Sequence, residues 1–347
     1  MMPSVISDGR CAIIKRENCC RQEGLFMEEY VNTVTGPRKL DELGFISPHE
    51  HVLFSARDNC LKEEEQELLD YRHFGGGTIM EMSTPEICQL AIKDERINVL
   101  RELSEKTGVN IVYGAGFYKE PRLPQIVQDA SIEQLTDMIV AEITEGRGKN
   151  KIKAGFIGEV GSSNYTVYPS EEKVLRAAGR ASALTGYGIS THTGRGTMYR
   201  EQLRFFEEEG ADLNHVIIGH QDVYPRLEER MDDYLYIFSK GAGVQFDCFG
   251  KQGFFEINND IEYGQKFPYD KERARMIRKF VDLGYIDQIY ISCDIDGRTL
   301  MKNWGGWGYS HLITTGLNLL RREGLSWPQI DQITRINPRE FLRVRRK

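Results

Sequence analysis

The chain contains no apolar run of 18 residues or more, so nothing in it reads as a membrane-spanning helix. It has no block of basic residues, and its formal net charge is −7, which argues against nucleic acid as a partner. Its seven cysteines are odd in number and scattered, with no Cys-x-x-Cys spacing. That usage excludes a disulfide framework and fits a reducing, cytoplasmic setting. The adjacent pair Cys19-Cys20 falls in a polar stretch, residues 1–27, read as an N-terminal extension outside the folded domain. The longest apolar piece there, Cys11-Ala12-Ile13-Ile14, is too short for a signal-peptide core. No internal repeat is evident, and no Gly-rich phosphate loop follows the first strand.

What the chain does have is ordinary globular composition, 40% hydrophobic and 28% charged over 347 residues. Residues 28–347 read as one domain. Tyr30–Val34 and the turn Gly36-Pro37 suggest a hairpin. After it, short apolar runs alternate with amphipathic segments. The runs are Phe45–His51, Gly76–Met82, Asn110–Gly116, Ile152–Val160, Gly188–His192, His215–His220, Ala242–Asp247 and Gln288–Asp294. Helices are expected near Ala91–Thr107, Ser131–Gly146, Met198–Glu209, Arg226–Lys240, Lys271–Leu283, Ser310–Glu323 and Pro328–Arg335, with Ser170 capping another. Strict alternation implies a parallel sheet, and eight units imply an α/β fold of the closed (β/α)8 TIM-barrel kind. An open, doubly wound sheet is the alternative. The long loop from about Lys251 to Phe267 mixes aromatics and acids, as functional lids do.

Parallel barrels place their chemistry at the C-terminal ends of the strands. There the first run ends in Pro48-His49-Glu50-His51. Alternate residues of a strand share a face, so His49 and His51 project together, roughly 6–7 Å apart. The fourth run ends in Glu159, the fifth in His192, the sixth in His220 and the eighth in Asp294. Any one of these alone is most often a hydrogen-bonded surface residue or a helix cap. Four histidines and two carboxylates on one rim instead suit two divalent metal ions. His73, His215 and His311 fall elsewhere and read as structural.

These segments resemble the phosphotriesterase family of the amidohydrolase superfamily, and especially its phosphotriesterase homology protein branch. The resemblance rests on Pro48-His49-Glu50-His51, on Ala154–Gly161 and on Ser190-Thr191-His192-Thr193. It continues through Ile218-Gly219-His220, Gln245-Phe246-Asp247, Ser292-Cys293-Asp294 and Asn337-Pro338. It implies a binuclear site, with zinc as the usual metal and manganese or cobalt as substitutes. His49, His51 and Asp294 would hold the buried ion, and His192 and His220 the more exposed one. The strand-four residue and a hydroxide would bridge them. In the phosphotriesterases proper that residue is a carboxylated lysine. Here the position is Glu159, and Lys153 lies at the opposite end of the run.

The resemblance implies hydrolysis by the bridging hydroxide, with Asp294 accepting its proton. Lys251 and Arg298, on the loops after runs seven and eight, suggest an anion site. A charge-assisted bond to phosphate contributes about 1.5–3 kcal/mol. Together with relatives that cleave phosphorylated sugar lactones, this points to a lactonase for anionic sugar lactones. Tyr118 resembles the tyrosine that lies over the metals in lactonase members. The alternatives are a phosphotriesterase or aryl esterase, an acyl homoserine lactonase, and a non-catalytic binding protein. Relatives are often homodimers, an expectation carried over with the family. No nucleic acid or membrane partner is expected.

Overall fold

The computed structural model describes residues 29–53, 61–85, 87, 93–252 and 267–345. The N-terminal extension, Cys19-Cys20 and most of the expected lid loop lie outside these residues. A hairpin, β1 (Tyr30–Thr33) and β2 (Gly36–Lys39), precedes eight parallel strands. These are β3 (Phe45–Glu50), β4 (Gly76–Glu81), β5 (Asn110–Ala115), β6 (Phe156–Ser162), β7 (Ile189–Thr193), β8 (Val216–Ile218), β9 (Gly243–Phe246) and β10 (Ile289–Ile291). They neighbour one another in strict sequence order from β3 to β10. Glu50, at the end of β3, closes the ring. Its carboxylate accepts the Cys293 and Ile295 N–H groups just beyond β10, at 3.0 and 2.8 Å. The architecture is the (β/α)8 barrel.

The strands are buried on both faces, as expected where helices cover a parallel sheet, and so they read as near-continuous apolar runs. Two apolar layers result. Ile46, Met80, Val112, Phe156, Ile217 and Tyr290 fill the barrel's floor, with Val31 of the hairpin and Phe341 of the last helix as its plug. A larger layer lies between strands and helices. The hairpin is tied to the floor by Val34 N–H to the Ile111 carbonyl, 2.9 Å, and Asn32 Nδ2 to the Ala154 carbonyl, 3.0 Å.

One helix forms where its cap predicts. Ser131 and Gln134 make a reciprocal capping box at the start of helix Ile132–Thr144. Two expectations need correction. The fourth barrel strand begins at Phe156 rather than Ile152, because Ile152 pairs back with Arg147 in a separate bridge. The next helix spans Pro169–Thr185, so Ser170 lies inside it rather than capping it. Glu171 closes that N-terminus instead, accepting the Tyr168 N–H at 2.9 Å, while the Ser170 hydroxyl donates to Glu120 at 2.6 Å.

Candidate metal centre

Because every barrel strand runs the same way, all eight C-terminal ends meet on one rim. The structure brings His49, His51, Glu159, His192, His220 and Asp294 together there. The His49 and His51 rings lie 5.5 Å apart, His49 and His220 4.9 Å, and His192 and His220 4.4 Å. Glu159 sits among them. Its Oε2 is 3.4 Å from His49 Nε2, 3.5 Å from His192 Nδ1 and 3.7 Å from His220 Nε2, and its Oε1 is 3.6 Å from His51 Nε2. Asp294 Oδ1 lies 3.2 Å from His51 Nε2 and 3.7 Å from His49 Nε2.

Local backbone geometry aims these groups. His220 and Asp294 both leave their strands in the left-handed region, at φ 54° and 48°. Non-glycine residues held there are strained, and such strain concentrates at functional sites.

The cluster tests well as a metal centre. His49 is fully buried, yet neither ring nitrogen has a hydrogen-bond partner; the same is true of Glu159 Oε2 and Asp294 Oδ1. Buried polar atoms are almost always paired, so three orphans that face one another, His49 Nε2, Glu159 Oε2 and Asp294 Oδ1, call for a ligand, while His49 Nδ1 faces Asp247 at 3.7 Å. Of four buried trios among the described residues with ligand atoms within 4.8 Å of one another, two are built wholly from these six side chains: His49, His51 and Asp294, and His49, Glu159 and His220. Imidazole and carboxylate donors suit zinc, manganese or cobalt alike. The protonation states carry the same message. Burial, with the neighbouring His220, presses His192 down to about 3. Burial also works against charge on Glu159 and Asp294, but hydrogen bonds from His192 and His220 hold the Glu159 carboxyl well below the ordinary range, and the Lys251 cation does the same for Asp294. The four imidazoles divide: burial lowers His49 and His192, while the carboxylates beside them raise His51 to about 9 and His220 above the ordinary range.

A supporting layer surrounds this cluster. Ser83 Oγ meets His51 Nδ1 at 3.0 Å. Asp247, after β9, accepts both His220 N–H and His220 Nδ1, at 2.8 and 2.9 Å, and lies 3.7 Å from His49. Asp247 was legible as part of a motif but not as a site residue. The rule that found Asp294, a carboxylate at a strand's end, would have found it too. Asp222 in turn accepts the Asp247 and Cys248 N–H groups and is clamped by the fully buried Arg273. Tyr118 stands beside His192, its hydroxyl 3.1 Å from Nδ1, and its carbonyl accepts Gly161 N–H from the end of β6.

A cavity of about 540 Å³ opens over the cluster, lined by His51, Tyr118, Glu159, His192, His220 and Asp294. Lys251 lines it as well, but it is buried and committed to carboxylates. Its Nζ lies 2.5 Å from Asp294 Oδ2 and 3.3 Å from Asp296. Arg298 does not line the cavity, and its guanidinium lies over the Trp304 ring, 4.6 Å away. Lys302 pairs with Asp70, and Tyr309 donates to Glu64 beneath His51. The expected anion site from Lys251 and Arg298 is therefore not assembled. The three-residue helical turn Arg298–Leu300 turns that loop away. Lys119, Arg122 and Arg195 line the outer wall instead. Of the remaining histidines, His215 meets the Phe341 carbonyl at 2.6 Å, His311 meets Asp270 at 2.7 Å, and His73 is exposed. No helix among the described residues is long and apolar enough to cross a membrane.

Comparison with known proteins agrees with this geometry. A profile of the phosphotriesterase family matches residues 29–342. A phosphotriesterase homology protein from Escherichia coli K12 is 33% identical over 310 residues, covering 87% of this chain and 98% of that one. An N-acetyltaurine hydrolase from Bos taurus is 32% identical over 298 residues, covering 85% and 80%. The crystal structure of an Escherichia coli phosphotriesterase homology protein with phosphate in its active site superposes with a TM-score of 0.74 at 31% identity, covering 87% of this chain and 99% of that one.

Proposed function

We propose that this chain, which belongs to the phosphotriesterase family and is a metal-dependent hydrolase, cleaves a small acyl compound carrying an anionic group away from the scissile bond. A sugar lactone bearing a phosphate or carboxylate is the favoured substrate. The observation that carries the reading is the cavity itself. Over a buried imidazole–carboxylate floor stand three cationic side chains, Lys119, Arg122 and Arg195. Their acidic neighbour Glu120 accepts hydrogen bonds from Ser170 and Gln128. The Escherichia coli homology protein binds phosphate in its active site, which is a precedent for an oxyanion in a cavity of this family.

His49, His51 and Asp294 would hold one divalent ion, and His192 and His220 a second, with Glu159 shared; zinc is the expected metal. Bound there, such ions supply Lewis acidity, polarising an acyl oxygen and acidifying water. The chain's own groups do the rest. Asp294 accepts the proton of the attacking water and returns it to the leaving group. Lys251, on Oδ2, keeps that carboxylate oriented and ionised. Tyr118, whose hydroxyl lies 3.1 Å from His192 Nδ1, would donate to a substrate oxygen. The buried walls limit bulk water around the cluster.

An amide with an anionic tail is the second reading, favoured by N-acetyltaurine hydrolases among the relatives. One panel tests both. Metal-loaded enzyme is given five- and six-carbon sugar lactones with and without a terminal phosphate, N-acyl amines with and without a sulfonate, acyl homoserine lactones and phosphotriesters. The expected result is a kcat/KM preference for the charged member of a lactone or amide pair. Fastest turnover of neutral triesters or long-chain acyl lactones would overturn the reading.

A further inference from the structure

The turn after β7 reads Gly194-Arg195-Gly196 and lies three residues beyond His192. Arg195 sits at φ 51°, ψ 32°, in the left-handed region. Glycine is the residue that adopts this conformation without strain, so an arginine here needs a reason. Its two neighbours are glycines for steric reasons. A Cβ at Gly194 would collide with the Asn164 side chain, and one at Gly196 with the Arg230 guanidinium. The middle residue is the one position of the three that presents a side chain, and that side chain lines the cavity.

The turn is also held firmly. Thr193 Oγ1 donates to the Gly219 carbonyl at 2.6 Å, Thr197 Oγ1 to the Gly194 carbonyl at 2.7 Å, and Arg230 Nη2 to the Gly196 carbonyl at 2.6 Å. A long cationic side chain on a fixed turn loses less freedom when it binds. Of the other cavity cations, Lys251 is buried against Asp294 and Asp296, Lys119 lies 5.4 Å over the Tyr118 ring, and Arg122 is exposed.

We propose that Arg195 is the specificity-determining residue that receives the substrate's remote oxyanion, whether phosphate, sulfonate or carboxylate, through the two-pronged geometry of its guanidinium. This rests on the proposed function and names the residue behind it. The strained backbone is then retained for recognition rather than for folding.

The test compares the metal-loaded parent with Arg195→Gly and Arg195→Lys on charged and uncharged members of each substrate pair, with Tm measured alongside. In Arg195→Gly the charged-over-uncharged ratio of kcat/KM should fall at least about tenfold, mostly through KM, which corresponds to one lost charge-assisted contact. Arg195→Lys should fall between, since it keeps the charge but loses the fork. Tm of Arg195→Gly should equal or exceed the parent's, because glycine relieves the backbone. The preferred pair identifies which oxyanion is read. A parent preference that survives in Arg195→Gly would overturn this assignment while leaving the proposed function standing. No preference in the parent would overturn both. A lower Tm with both members equally impaired would make Arg195 structural and also overturn it.

Discussion

The two ends of the barrel use buried histidine in opposite ways. At the floor, His215 is 2% exposed and its Nε2 meets the Phe341 carbonyl. At the rim, His49 is wholly buried and both its nitrogens lack hydrogen-bond partners. A satisfied polar group holds a structure together, whereas a buried unsatisfied one marks a position completed by something other than the chain. Burial alone does not separate the two classes. The state of the hydrogen bonds does.

The strongest challenge to that contrast is to remove the shared rim carboxylate. Glu159→Gln keeps the shape and deletes a charge. We expect kcat/KM to fall about 10³-fold or more, as when a preorganised group is removed from a reacting centre. Metal content by emission spectroscopy should fall below two ions per chain, and activity of the parent should not depend on added bicarbonate. A Glu159→Gln enzyme with full metal and full rate would erase the distinction between the ends.

Next in size is a test at the floor. Burial lowers His215 to about 4, with the Arg345 charge adding to the effect. A histidine depressed in the folded state stabilises the fold above its unfolded pKa, and that contribution is lost as pH falls from about 6.5 to 4. At 1.36 kcal/mol per unit, about 3 kcal/mol is at stake. His215→Gln can retain a bond to Phe341 without titrating. Its Tm should therefore fall less steeply than the parent's between pH 6.5 and 4, with metal content unchanged.

Asp247→Asn probes the layer between the two classes. It leaves His220 in place but weakens the bond that fixes its tautomer. Metal affinity, measured by competition with a chromogenic chelator, should drop about 10–100-fold. Smallest is Tyr118→Phe. Removing one neutral hydroxyl beside His192 should cost about 1 kcal/mol of transition-state binding, roughly fivefold in kcat/KM, with metal content intact. A loss of metal in that variant would move Tyr118 from the cavity wall into the supporting layer.

The rim was readable because strand periodicity is rigid. Once the eight runs were aligned, the end of each run fixed the height of its last side chain, and His49, His51, Glu159, His192, His220 and Asp294 followed. Loops carry no such rule. Lys251 and Arg298 were paired because both follow strands, yet Lys251 turns inward onto Asp294 and Arg298 lies over Trp304. Arg195 escaped notice because a Gly-Arg-Gly turn has no periodicity to place it. Ile152 reads as strand because it is apolar and β-branched, while its pairing with Arg147 depends on a local turn. Ser170 reads as a cap, since the competing bond from Tyr168 N–H to Glu171 is equally local and only the fold chooses between them.

Glu50 carries one further consequence. It accepts the N–H groups of Cys293 and Ile295, 243 and 245 residues later, beside the ligand candidates His49, His51 and Asp294. The seam of the ring and the most buried part of the site are therefore completed in the same act. A chain emerging from the ribosome carries the first two histidines early but lacks Asp294 until nearly all of it has been made. The trio His49, His51 and Asp294 is thus completed by the last strand alone, so assembly of this part of the site and closure of the ring are one event.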